Sequence, residues 1–112
     1  MLSFTLAMDY NERMQVDVRL LNDVVETLGA ITEELLALGD RYRYGTASIK
    51  PDVALAESYY REAAELGDWE GMRLLAAVLE EQGRSSEAEV WLMRAASEGD
   101  EQAEDELHAP RG

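Results

Sequence analysis

The chain contains no cysteine, two prolines, one histidine and one phenylalanine among 112 residues. Without cysteine there is no disulfide framework, no thiolate metal site and no cysteine nucleophile, a usage that fits a reducing compartment. The one histidine, His108, lies near the C-terminus and reads as a solvated surface residue rather than a metal ligand or a base. Basic residues are also scarce. Ten Lys and Arg stand against 24 Asp and Glu, a net charge of −14. Nucleic-acid phosphates and anionic membrane surfaces would both repel such a chain, which excludes them as partners. No stretch approaches the roughly 18 apolar residues of a membrane span. Met1–Asp9 has no basic segment ahead of its short apolar stretch and does not read as a signal peptide. A cytoplasmic protein is the expectation.

The chain is nevertheless 46% hydrophobic, enough for a single compact domain with a modest core. The acidic residues suit solvated outer faces of helices, and they also complement a basic protein partner.

A self-match governs the fold. Ala56-Glu57-Ser58-Tyr59-Tyr60-Arg61-Glu62-Ala63-Ala64-Glu65-Leu66-Gly67-Asp68 returns 32 residues later as Ala88-Glu89-Val90-Trp91-Leu92-Met93-Arg94-Ala95-Ala96-Ser97-Glu98-Gly99-Asp100. Repetition at this period marks stacked helical hairpins. Gly67 and Gly99 stand where a helix ends in a left-handed residue, and Asp68 and Asp100 follow as N-caps of the next helix. Connections this short force antiparallel neighbours. Gly45 and Gly83 close the first helix of each hairpin. Asp52 is the expected cap after the longer loop, and Ser86 with Glu89 is the expected capping box after the shorter one.

The apolar spacing predicts helices over about 31–44, 52–66, 69–82 and 86–98. The inward stripes are Ile31, Leu35, Leu38 and Tyr42; Ala56, Tyr59, Tyr60, Ala63 and Ala64; Met72, Leu75, Ala76 and Leu79; and Ala88, Trp91, Leu92, Ala95 and Ala96. Ala103 and Leu107 open a further half-repeat that runs into a frayed tail, 109–112. Upstream, about 10–28 reads as an amphipathic capping helix with Met14, Val18, Leu21, Val25 and Leu28 on one face, ended by Gly29. The first eight residues allow a helix start, a short strand or packing against a second copy. The expected division is therefore an N-terminal segment, 1–30, a repeat region, 31–108, and the tail.

These residues resemble the Sel-one-like repeat, a relative of the tetratricopeptide repeat. The resemblance rests on Leu38-Gly39, Tyr42, Gly45, Ile49, Asp52, Ala56, Tyr59-Tyr60, Ala63-Ala64 and Gly67-Asp68 in the first repeat. In the second it rests on Gly71, Leu75-Ala76, Leu79, Gly83, Ala88, Trp91-Leu92, Ala95-Ala96 and Gly99-Asp100. It covers about 34–108. Glu34 departs from the alanine the family prefers, and the missing cysteines set the chain apart from secreted, disulfide-linked relatives. The resemblance implies an all-α fold, an α/α superhelix of antiparallel hairpins whose first helices line a concave face. It implies a role in protein contact, scaffolding or complex assembly and does not imply catalysis; no cofactor is expected.

Direct reading of the residues agrees that an enzyme is not expected. Ser85 and Ser86 are explained by capping, and the glycines are helix stops rather than a phosphate loop. The runs Glu33-Glu34, Glu80-Glu81 and Glu101 to Glu106 lack the loop geometry of a cation site. Candidate partner-binding residues are those of the first helices lying off the core stripe: Arg41 and Tyr44 with Ala37 in the first pair, and Trp69, Arg73 and Ala77 with Val78 beside them in the second. Trp69 can instead fold back over the preceding helix. Two function classes follow. One is an adaptor holding a basic protein segment; the other is an inhibitor or chaperone that neutralises a toxin or secreted effector. Such arrays need about three repeats for stability; either the N-terminal helix supplies the missing layer, or two chains complete each other as a homodimer through the apolar N-terminus or the open C-terminal helix.

Overall fold

The computed structural model describes residues 2–109, with side chains from residue 19 onward. Among the described residues there are five helices and no strand: α1 (Leu2–Tyr44), α2 (Val53–Glu65), α3 (Trp69–Glu81), α4 (Ser85–Ser97) and α5 (Glu101–His108). The protein is all-α. It divides into two compact units, Met1–Ala30 and Ile31–Gly112. The reading of 110–112 as frayed lies outside the described residues, as do the side chains of Met14 and Val18.

The helix stops obey one rule. Gly45, Gly67, Gly83 and Gly99 all have positive φ, between 76° and 111°. At Gly67 the amide donates to the Ala64 carbonyl at 3.0 Å, and Asp68 N donates to Ala63 O at 3.1 Å. Gly99 and Asp100 repeat the pattern on Ala96 and Ala95, both at 3.0 Å. This is a Schellman close, in which a residue with left-handed φ lets two otherwise orphaned carbonyls be satisfied. The following aspartate starts the next helix. Asp68 accepts from Gly71 N at 2.7 Å, Asp100 from Gln102 N at 3.2 Å, and Asp52 from Leu55 N at 3.1 Å.

Two expected boundaries differ. Gly29 does not end a helix, and α1 runs through it. Glycine alone does not stop a helix; after Gly29 come Ala30 and Ile31, with no capping side chain of the kind Asp68 supplies after Gly67. The helical start at Leu2 also excludes a strand in the first eight residues. At α4 the expected capping box is absent: Arg84 is the N-cap residue and makes no side-chain cap bond. Arg84 N is already tied to Leu79 O at 2.9 Å, so the helix begins at Ser85 and Ser86 falls inside it.

In the second unit the core is built from Tyr60, Met72, Leu75, Val78 and Leu79 with buried alanines between them. Gly71 shows why the alanines are needed. A Cβ there would lie 2.9 Å from Ala63 Cβ and 3.0 Å from Ala64 N, so the first turn of α3 sits directly on the Ala-Ala pair of α2. Thirty-two residues on, Ala103 takes the same place after Ala95 and Ala96, and it is fully buried. On α1 the expected inward stripe fails at Ile31, which is 43% exposed; Leu35 and Leu38 are half-buried, Tyr42 packs against the core, and Leu36 joins it beside the buried Gly39. The cause is Tyr60, whose ring occupies the space a Gly39 side chain would take and whose hydroxyl donates to Asp40 Oδ1 at 2.5 Å. Tyr59 stacks on Tyr42, ring centres 5.8 Å apart.

A ring of charges ties α2 to α4. Arg61 Nη2 reaches Glu57 Oε2 at 2.9 Å and Glu87 Oε1 at 2.8 Å. Arg84 closes the circuit to Glu57 Oε1 at 2.8 Å and Glu87 Oε2 at 2.6 Å. Gln82 Nε2 donates to Glu57 at 2.8 Å. Burial alone would raise the Glu57 carboxyl, but hydrogen bonds from Gln82, Arg61 and Arg84 outweigh it and hold it below the usual carboxylate range. Glu87 is held low by Arg61 first and then by Arg84.

Gly39→Ala should lower stability by about 1–2 kcal/mol, because overpacking against Tyr60 exceeds the helix-propensity gain. A lower urea midpoint at unchanged slope would show it; an unchanged midpoint would mean the Tyr60 ring is not locked there. For the ring, depressed folded pKa values stabilise fully above the unfolded value of about 4.3, and the contribution is lost as pH falls through the folded values. The stability difference between the native chain and Glu57→Gln should therefore be largest near neutrality and shrink in acid. A pH-independent difference in urea titrations would contradict this.

Candidate interaction surface

The candidate residues sit on two helices of the second unit. Arg41 and Tyr44 end α1, and Trp69, Arg73 and Ala77 follow one another at four-residue steps along α3. Four-residue steps place the last three on one helix face.

Arg41 is exposed, and its carbonyl accepts the Gly45 amide at 2.8 Å. Tyr44 is 68% exposed, with the Arg43 guanidinium 5.1 Å from its ring centre. Arg43 also pairs with Glu81, which joins the end of α1 to the end of α3. Tyr44 is thus held as a platform on a fixed cation rather than loose at a helix end.

Trp69 is 40% exposed. Its ring edge covers the turn after α4, because a Cβ on Gly99 would lie 3.4 Å from Trp69 Cη2. One helical turn along, Arg73 Nε donates to Asp100 Oδ2 at 2.7 Å. The Asp100 side chain is 8% exposed, and its other oxygen caps α5. Trp69 and Arg73 together therefore clamp the α4–α5 turn against α3. Trp69 keeps part of its surface open, whereas Arg73 spends its charge within the fold. Val78 is fully buried and belongs to the core.

Ala77 leads to a feature the sequence reading missed. With Ala76, Glu80, Leu92 and Glu106 it lines a cleft of about 250 Å³. The cleft has a floor of small and aliphatic side chains and two carboxylates at its walls. Its origin lies in the repeat. Leu92 is the counterpart of Tyr60, 32 residues on. Where Tyr60 fills the space against Gly39, the shorter Leu92 faces Ala76 and leaves room. Comparing positions 60 and 92 would have been the signal for it. Ser85 Oγ donates to Glu80 Oε2 at 3.3 Å, which connects one wall to the start of α4.

Among the described residues, no group of three or more His, Cys, Asp and Glu is placed to hold a metal ion. Among the same described residues no helix is long and apolar enough to cross a membrane. Comparison with family models, with curated proteins and with solved structures finds no match to this chain.

Arg73→Ala should destabilise the second unit by about 1–3 kcal/mol, because it leaves the buried Asp100 carboxylate without its charged donor. Amide hydrogen exchange should quicken first in Glu101–His108. Unaltered protection of α5 would show that Arg73 does not anchor it.

Proposed function

We propose that this chain is a protein-interaction module of the Sel-one-like repeat type, a cytoplasmic adaptor that holds a basic segment of a partner protein. In this reading the hairpins form an α/α superhelix, and α3, α5 and the Ile31–Tyr44 part of α1 line its concave side. The observation that carries it is the cleft at Ala77: apolar below, with Glu80 and Glu106 in its walls. A lysine or arginine side chain suits such a place, since its aliphatic stem can lie on Ala76 and Leu92 while its cation meets the carboxylates. Exposed Tyr44 and the open part of Trp69 supply aromatic surface of the kind that anchors interfaces. The net charge of −14 favours encounter with a basic partner and disfavours nucleic acid. In this reading the chain is not an enzyme and takes no cofactor.

The test is capture of partners from source cells at low and at physiological salt, followed by affinity measurement on the captured protein. Binding should weaken as salt rises. Glu80→Gln with Glu106→Gln should weaken it about tenfold or more while leaving the urea midpoint within about 0.5 kcal/mol of the native chain. Affinity indifferent to both salt and these carboxylates would overturn the reading. A one-to-one complex that abolishes an enzymatic or toxic activity of the partner would move the assignment from adaptor to inhibitor.

A further inference from the structure

Within the first unit, α1 carries an apolar face that stands in solvent. Leu21 is 61% exposed and Val25 65%, with Leu20 and Val24 beside them at 55% and 50%. A helix gains most of its stability from burying such a face, so a second surface is needed to cover this one.

The spacing of the face says what kind of surface fits. Met14, Val18, Leu21, Val25 and Leu28 are separated by steps of four, three, four and three. That is a heptad seam, with Val18 and Val25 at the a positions and Met14, Leu21 and Leu28 at the d positions. The same register carried upstream places Asn11 at a, with Ala7 and Phe4 before it. Leu20 and Val24 widen the apolar face beside the a and d positions, and a face with this heptad period is matched by another helix of the same period. β-branched residues at a with leucine at d favour two parallel strands, and one asparagine at a holds two such strands in register.

Charge selects a second copy of this chain as the occupant. The e and g positions that flank the seam from Tyr10 to Gly29 contain one charged residue, Asp17. The first thirty residues hold five acidic and two basic side chains, so most of the net −14 lies elsewhere. In a chain this acidic, the apolar seam and its flanks are where self-association meets least repulsion. The same lack of charge removes the attraction that would draw a basic partner there. We infer that the first unit pairs with the first unit of a second copy as a parallel, in-register, two-stranded coiled coil along the face that carries Leu21, Val25 and Leu28. The interface is isologous, with each seam residue facing its own counterpart. It is separate from the cleft at Ala77, so either proposal can fail without the other.

Sedimentation equilibrium on the full chain should give twice the 12.5 kDa chain mass over a wide concentration range. Leu21→Glu with Val25→Glu should halve that mass. Both tryptophans, Trp69 and Trp91, lie in the second unit. Their unchanged fluorescence and urea midpoint would show that the loss is one of pairing and not of folding. Because the chain has no cysteine of its own, direction can be read separately with Leu21→Cys and Leu28→Cys. In a parallel in-register pair, both variants should form intermolecular disulfides under mild oxidation, since like d positions meet within disulfide reach. An antiparallel pair can oppose at most one of them to itself. Single-chain mass at every concentration, a trimer, a dimer that survives the glutamate pair, or cross-linking of only one cysteine variant would each overturn the inference.

Discussion

Two residues reverse the chain at Gly67-Asp68 and again at Gly99-Asp100, and the position of each later helix follows from how those residues use their backbone and side chains. The left-handed glycine turns the chain so that two terminal carbonyls are satisfied. The aspartate at once supplies the acceptor that starts the next helix. So little chain is used that the new helix has no freedom to drift, and its first turn must meet the helix just ended. Residues at that meeting point are therefore small: Gly71 against Ala63 and Ala64, and Ala103 after Ala95 and Ala96. Asp100 does more than cap. Its second oxygen receives Arg73, which ties the turn after α4 to the face of α3.

Charge serves two purposes in this chain. In the Glu57–Arg61–Glu87–Arg84 ring the signs alternate, and each carboxylate faces two guanidinium groups. The ring uses two of the scarce basic residues, Arg61 and Arg84, while Arg73 is tied to Asp100 and Arg43 to Glu81. Several of the few cations are thus committed within the fold, while the excess of carboxylates remains outward. An acidic surface is then the natural result of structural economy as well as a means of selecting a partner. The ring also explains why Glu57 and Glu87 hold their charge firmly despite the crowd of like charges around them.

Near-identical repeats create difference through single exchanges. Tyr60 and Leu92 hold matching places, yet one fills the space against Gly39 and finds Asp40 for its hydroxyl, whereas the other leaves a cleft beside Ala77. The same logic acts in the loops. Gly83 and Arg84 close α3 so tightly that α4 starts before Ser86 can cap it, while the longer loop after Gly45 leaves Asp52 free to cap α2. Gly29 shows the limit of punctuation read as single residues. Without a capping neighbour it is simply a weak helical residue, and α1 continues through it.

The helix-rich fold, the four left-handed glycines, the aspartate caps and the buried alanines were all determined by the sequence itself, because each depends on neighbours a few residues away and recurs at a fixed period. The same holds for the heptad spacing of Met14 to Leu28, which is a property of one helix face. The inward stripe of α1, the commitment of Arg73 to Asp100, the charge ring and the cleft were decided only by tertiary structure. Each depends on residues about 20 to 30 positions apart that meet because helices pack side by side. Ile31 and Leu36 are equally apolar in the sequence; which of them turns inward was set by the Tyr60 ring claiming the space over Gly39. Local periodicity specifies that a helix has a buried face, and the volume of the side chains across from it specifies which face that is.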